Sequence, residues 1–154
     1  MKGARGFTLI EVLIVIIIMA ITLTIGGMVF SRYFVRTSAK RAAVVFGQDL
    51  TVARNTAARS RQVVVVDFDE GGLGYVVRLA AGDTLLSRSF DDGSDVRLSS
   101  LDLEFTGDTV AFNARGVADL SEASGPVGRA QFTAGTITYV VSFNSIGSSR
   151  IEGS

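Results

Sequence analysis

The sequence predicts an α+β protein: a long N-terminal membrane-spanning helix that continues as a stem packed on a small antiparallel β head. Three observations predict it. An apolar run near the N-terminus is long enough to cross a bilayer, and a helical stripe of apolar residues follows it without interruption. At Gln62 the pattern then changes to short β-branched runs divided by Gly- and Asp-rich turns. A chain of 154 residues has room for one modest domain beside such a helix.

The first element is the apolar run. Between Arg5 and Arg32 the only charged residue is Glu11. The twenty uncharged residues Val12–Ser31 extend about 30 Å at ~1.5 Å each, the thickness of a bilayer's hydrocarbon core. A buried helix of a soluble domain is the first alternative, and it would need covering on every side. A secretory signal peptide is the second. Lys2 and Arg5 would serve as its basic region, but the run is longer than usual, contains Glu11 and is followed by no A-x-A site.

Beyond Ser31 the helical period persists. Val35, Ala39, Ala42, Phe46, Leu50, Ala53 and Ala57 recur at steps of three or four, while Arg32, Arg36 and Lys40 lie a turn apart on another face. Proline is absent until Pro126, so one helix from Phe7 to about Ser60 is permitted, ~80 Å long. Gly26 and Gly27 are its weak point and the candidate bend, because two interior glycines cost roughly 2 kcal/mol relative to alanine.

The head follows. Val63–Phe68, a turn at Asp69-Glu70-Gly71-Gly72, and Gly74–Leu79 form a hairpin signature. Further β-like runs are Leu85–Phe90, Val96–Leu98, Leu103–Phe105, Val110–Phe112, Ala130–Phe132 and Ile137–Phe143. The resulting segments are 1–6 as a leader, 7–31 as the membrane half of the helix, 32–61 as the amphipathic stem and 62–154 as the β head.

Composition excludes several functions. The chain has no cysteine and no histidine, which removes disulfides, Cys or His metal sites and histidine-based triads. Fifteen basic and fifteen acidic residues cancel over the whole chain. The cancellation hides an asymmetry: residues 1–66 hold nine basic and two acidic side chains, residues 67–154 six and thirteen, a net of −7. The mean hydropathy of +0.39 belongs largely to the membrane segment.

The residues Lys2-Gly3-Ala4-Arg5-Gly6-Phe7-Thr8-Leu9-Ile10-Glu11-Val12 form a short basic leader ending in glycine. Phenylalanine then opens an apolar helix with glutamate at its fifth place. This resembles the prepilin leader of type IV pilins and type II secretion pseudopilins, G-F-T-L-I-E. The resemblance implies cleavage between Gly6 and Phe7 by a prepilin peptidase on the cytoplasmic side, with N-methylation of Phe7. A glycine before the scissile bond suits a tight active site. Cleavage would remove Lys2 and Arg5 and leave side chains at a net of −2.

An ionised Glu11 inside a membrane costs about 2.5–3.5 kcal/mol on insertion scales, so it needs a partner or a function. The resemblance implies that this partner is the N-terminal amine of a neighbouring subunit, aligned during assembly. The alternative is snorkelling to the headgroups. One signal disagrees with the implied topology. Arg32, Arg36, Lys40 and Arg41 outnumber Lys2 and Arg5, so a positive-inside count would place the head in the cytoplasm.

Ala53-Arg54-Asn55-Thr56-Ala57-Ala58 before a valine strand, and Val110-Ala111-Phe112-Asn113-Ala114-Arg115-Gly116 with its F-N-x-x-G turn, are similar to the GspH/FimT group of minor pilins and pseudopilins. So is the closing Thr136–Ser142 strand with Ile146-Gly147. The resemblance implies a non-enzymatic subunit without cofactors. Its helix would anchor in the bacterial inner membrane, its N-terminus would be cytoplasmic and its head periplasmic. Its partners would be other pilin or pseudopilin subunits and prepilin peptidase, with a place at the filament tip.

Other chemistries compete with this one. Asp91-Asp92-Gly93-Ser94-Asp95 has the oxygens of a calcium loop but neither the alternating spacing nor the terminal glutamate of an EF-hand, which favours a plain turn. Asp67, Asp69 and Glu70 cluster without a nucleophile. A DNA-capturing minor pilin of a competence apparatus is the alternative function. Its C-terminal G-R-x-R reads Gly147-Ser148-Ser149-Arg150 here, which leaves Arg150 alone on an acidic head, so nucleic acid is a poor partner.

Overall fold

The computed structural model describes residues 8–69, 72–91, 93–105, 107–123 and 125–153, and the side chains of all of these except 25–32. Thr8 opens the helix: the backbone N–H of Glu11 donates to its Oγ1 at 3.3 Å. From there α1 (Leu9–Ser60) continues for 52 residues, through positions 26 and 27 without interruption. It closes at Arg61, whose φ of 55° is the left-handed conformation that commonly ends helices.

The chain divides into two compact units, Met1–Phe34 and Val35–Ser154. In the first unit every large aliphatic side chain described from Leu9 to Leu23 is exposed. Thr22 and Thr24 turn their hydroxyls back onto the carbonyls of Ile18 and Ala20, both at 2.8 Å, so neither presents an unpaired donor along this stretch. Among the described residues, no helix is long and apolar enough to cross a membrane.

In the second unit the expected stripe is the buried face of α1. Ala39, Ala42, Phe46, Leu50, Ala53 and Ala57 are buried and Val35 partly so, while Arg36 and Lys40 face solvent. Eight strands follow: β1 (Val64–Phe68), β2 (Gly74–Leu79), β3 (Thr84–Ser89), β4 (Ser100–Leu103), β5 (Thr109–Phe112), β6 (Gly128–Ala134), β7 (Ile137–Phe143) and β8 (Ser149–Gly153). They form two four-stranded sheets, ordered β3-β2-β1-β5 and β4-β6-β7-β8, with every pair antiparallel.

Alternation explains the faces. Val64, Val66 and Phe68 of β1 point inward while Val65 and Asp67 do not, and β6 and β7 repeat the pattern. Phe46 of α1 lies where both sheets meet the helix. Its ring is 5.4 Å from Phe68 and 5.3 Å from Tyr75 on one sheet, and 5.3 Å from Phe132 and 6.1 Å from Phe143 on the other. Truncating such a residue to alanine typically costs ~3–5 kcal/mol.

The head departs from expectation in three places. The run 96–98 is not a strand, and the run at 103–105 becomes β4 at Ser100–Leu103 with Phe105 in an isolated bridge to Ala123. β8 was not foreseen. It is exposed along its whole length and carries no alternation of polarity, so it is held by backbone pairing to β7.

Candidate functional site

The N-terminal end of α1 carries the residues the sequence singles out. Gly6 and Phe7 lie outside the described residues. Glu11 is exposed at the third position of the helix, and Thr8-Leu9-Ile10-Glu11 has the T-x-x-E spacing of a capping box. The Thr8 half of that box is formed. A carboxylate in the first turn is also favoured by the helix dipole, and this offsets part of its desolvation. Among the described residues, the Glu11 carboxylate has no hydrogen bond or ion pair. The capping threonine was not singled out from the sequence, although its spacing to Glu11 was the available signal.

At the other end of α1 stands a feature that sequence reasoning missed. Asp49 is the one buried charged residue of the described core, 4% exposed. Its Oδ2 accepts the Tyr75 hydroxyl at 2.8 Å and Arg88 Nε at 2.8 Å, and its Oδ1 accepts Arg88 Nη2 at 3.1 Å. A bidentate guanidinium and a phenol compensate a carboxylate that burial alone would penalise. Burial, then the Asp49 charge, push the Tyr75 phenol far above its ordinary range. The hydrogen bond to Asp49 raises Arg88 further. The arrangement pins the helix to β2 and to the edge strand β3. It stores no reactive group, because every oxygen is already engaged.

The F-N-x-x-G turn occurs twice. In Phe112-Asn113-Ala114-Arg115-Gly116 and in Phe143-Asn144-Ser145-Ile146-Gly147, a buried Phe ends a strand and Asn accepts with its side chain from the backbone N–H four residues on. These bonds are 3.2 Å from Val117 and 3.0 Å from Ser148. Both glycines have φ of 73°, and at both a Cβ would crowd Arg54 of α1. The Ala118 N–H donates to the Ser145 carbonyl at 2.7 Å, joining the two turns. The first turn was recognised in the sequence; the second carries the same spacing.

The remaining candidates are ordinary in their surroundings. Asp91 Oδ1 accepts the Gly93 N–H at 3.0 Å, so this carboxylate is occupied by its own turn. Among the described residues, no group of acidic side chains is placed to hold a metal ion. Arg150 lies exposed on β8 with its Nε 3.1 Å from Glu152. Gly26 and Gly27 are inside the unbroken helix.

Residues 1–27 match the prokaryotic N-terminal methylation motif, and residues 42–152 match the type II transport protein GspH family. The chain belongs to the GspH family. It is a type IV pilin-like minor subunit of the GspH/FimT type, and the family is one of structural subunits. The matched region of this GspH-family chain includes Asp49, both F-N-x-x-G turns and all eight strands up to Glu152. The crystal structure of the type IV minor pilin FimU of Pseudomonas aeruginosa has a similar fold. It is 19% identical, with a TM-score of 0.54 over 76% of this chain and 90% of that one. No curated protein sequence matches the chain.

Proposed function

We propose that this chain is a minor pseudopilin or pilin subunit of a type II secretion or type IV pilus assembly. It is cut by prepilin peptidase between Gly6 and Phe7, N-methylated at Phe7, and carried into the filament, at its tip, by its N-terminal helix. Before assembly the helix spans the bacterial inner membrane once, with a cytoplasmic N-terminus and a periplasmic head. After assembly the same surface packs among the helices of sister subunits.

The observation that carries this reading is the surface of α1 before residue 25. Its large aliphatic side chains are uncovered on all sides, and Glu11 is the one charge among them. A helix apolar all round requires a surrounding that is itself apolar, which lipid or a bundle of like helices supplies. A carboxylate in an apolar surface, without a partner among the described residues, is suited to a basic group brought by another subunit. The N-terminal amine created by cleavage before Phe7 is four residues from Glu11 in sequence and is the basic group that each sister subunit would bring.

Mass spectrometry of the mature N-terminus tests the processing, with methylated Phe7 expected. An intact Met1, or cleavage elsewhere, would refute it. Glu11→Ala tests the assembly step: cleavage should persist while the amount recovered with sheared filaments falls at least several-fold. Incorporation equal to wild type would overturn the role given to Glu11. A DNA-binding reading gains nothing from the structure, since Arg150 is already paired with Glu152.

A further inference from the structure

The two F-N-x-x-G turns close on one side chain of α1. A Cβ at Gly116 would lie 3.2 Å from Arg54 Cγ, and one at Gly147 would lie 3.0 Å from its Cδ and 3.6 Å from its Cβ. The aliphatic stem of Arg54 therefore runs between the turns, in a space that both glycines leave open. The turns are also joined to each other. A Cβ at Gly147 would stand 3.5 Å from the Phe112 ring of the first turn, and the Ala118 N–H donates to the Ser145 carbonyl of the second at 2.7 Å. The guanidinium beyond the stem has no ion pair among the described residues, whereas Arg78, Arg88, Arg129 and Arg150 of the strands are each paired with a carboxylate.

The residue before the glycine differs between the turns. It is Arg115 in the first and Ile146 in the second, and both are exposed, Ile146 at 51%. Val117, just after the first glycine, is 37% exposed. Arg115, like Arg54, has no ion pair among the described residues. Arg59 stands nearby in the last turn of α1, where the helix dipole favours a cation. Two carboxylates belong to the same end of the head. Asp83 is in the turn after β2, and Asp119 Oδ1 is engaged by the Ser121 N–H at 3.0 Å. The joined turns thus present two unpaired guanidiniums beside two uncovered aliphatic side chains.

We infer that these turns are a docking site for a different subunit of the assembly, one that presents a carboxylate beside an aliphatic side chain. Arg54 receives the carboxylate with Arg115 alongside, and Ile146 covers the aliphatic group. A guanidinium fork matches a carboxylate in a planar, bidentate fashion. A stem that already runs between two turns has fewer rotamers to lose when the contact forms. Arginine flanked by uncovered aliphatic groups is also the composition that marks protein interfaces. A minor subunit meets neighbours of other kinds, and the inference rests on the proposed function to that extent. Duplex DNA would also attract the arginines, but it needs a continuous run of cations, and here Ile146, Val117, Asp83 and Asp119 interrupt one.

The test uses the full-length chain in membranes of cells that assemble the filament, with the photo-reactive p-benzoylphenylalanine in place of Ile146. Irradiation should give an adduct with one other pilin-like subunit, and the cross-linked peptide should carry Asp or Glu beside the attachment point. Arg54→Met keeps the stem and removes the charge. It should lower the adduct yield at least fivefold while leaving the melting point of the head unchanged. The double variant Arg54→Met with Arg115→Glu should lose the adduct, and changing the mapped acid of the partner to lysine should restore at least half of it. That recovery excludes loss of fold as the cause. No adduct, an adduct with a second copy of this chain, an attachment point without an acid, or Arg54-dependent retention of duplex DNA in place of the adduct would each overturn the inference. So would a fall in melting point for Arg54→Met, which would make the guanidinium a structural group of the head. Methylation of Phe7 and the recovery of Glu11→Ala are read separately, so a missing adduct beside normal processing and incorporation refutes the docking alone.

Discussion

Replacing Asp49 by alanine removes three hydrogen bonds at once, and the structure sets how much each loss should matter. The Tyr75 hydroxyl is buried and would be left without its acceptor, worth about 1–3 kcal/mol. Arg88 is different, because its side chain is 43% exposed and can turn into water, so its loss adds roughly 1 kcal/mol. The sum is about 3 kcal/mol, at the lower edge of the ~3–5 kcal/mol for breaking a fully buried pair. For a unit the size of Val35–Ser154, ~3–5 °C per kcal/mol translates this into a melting point lower by about 10 °C.

The assay is thermal unfolding of the full chain in detergent, followed by near-ultraviolet circular dichroism, to which Tyr75 in the core contributes. Asp67→Ala is the internal control, because the Asp67–Arg78 pair is more exposed and should be worth at most ~1 kcal/mol. The Asp49→Ala and Tyr75→Phe pair should couple by about 1–2 kcal/mol in a double-mutant cycle. A drop below 3 °C for Asp49→Ala, or a larger one for Asp67→Ala, would refute the reasoning that burial and bond count rank these two carboxylates.

Gly116→Ala should destabilise more than Gly147→Ala in the same melts. Both positions have φ of 73°, costing an L-residue ~1–2 kcal/mol, but a Cβ at 116 would meet the Arg54 backbone carbonyl at 3.1 Å. At 147 it would meet the mobile Arg54 Cδ at 3.0 Å; equal losses would remove the argument from backbone crowding. The head should also lose stability in alkali. The folded phenol of Tyr75 is raised, so its contribution is complete below the unfolded pKa near ~10 and declines as pH rises past it. Tyr75→Phe should flatten the fall in melting point above pH ~10, and an unchanged slope would show that another group governs it.

Local pattern carried a large part of this fold. The stripe from Val35 to Ala57 became the buried face of α1, because helical spacing and side-chain size are both written along the chain. The hairpin β1–β2 was legible for the same reason, with strands of alternating burial flanking a short turn, and the runs that became β6 and β7 were legible as separate strands. What could not be read was pairing over distance. β5 joins β1 across more than forty residues, and β8 is a strand because β7 offers an open edge. Nothing in Ser149-Arg150-Ile151-Glu152-Gly153 announces this. Phe46 was foreseen as apolar and buried, but not as the ring both sheets would share.

The same distinction separates the two acids of the helical half of the chain. Glu11 and Asp49 are the two carboxylates among the first 66 residues, each set in an apolar helical surface. Glu11 stood out in the sequence because the twenty residues after it are uncharged and mostly apolar, which makes the energetic penalty visible without any tertiary information. Asp49 did not stand out, since an acid every few turns is normal for an amphipathic stem and its burial depends on strands far along the chain. The structure reverses their standing. Asp49 is satisfied within the chain by Tyr75 and Arg88, so a structural role accounts for it fully. Glu11 has its backbone N–H capped by Thr8, while its carboxylate has no partner among the described residues. A charge that is compensated within its own fold needs no further explanation, whereas one set in an apolar surface without a partner among the described residues is the better candidate for a contact with another molecule. That is why an assembly role is proposed for Glu11 and not for Asp49. Replacing Asp49 should therefore lower the melting point, and replacing Glu11 should lower incorporation while leaving the melting of the head unchanged.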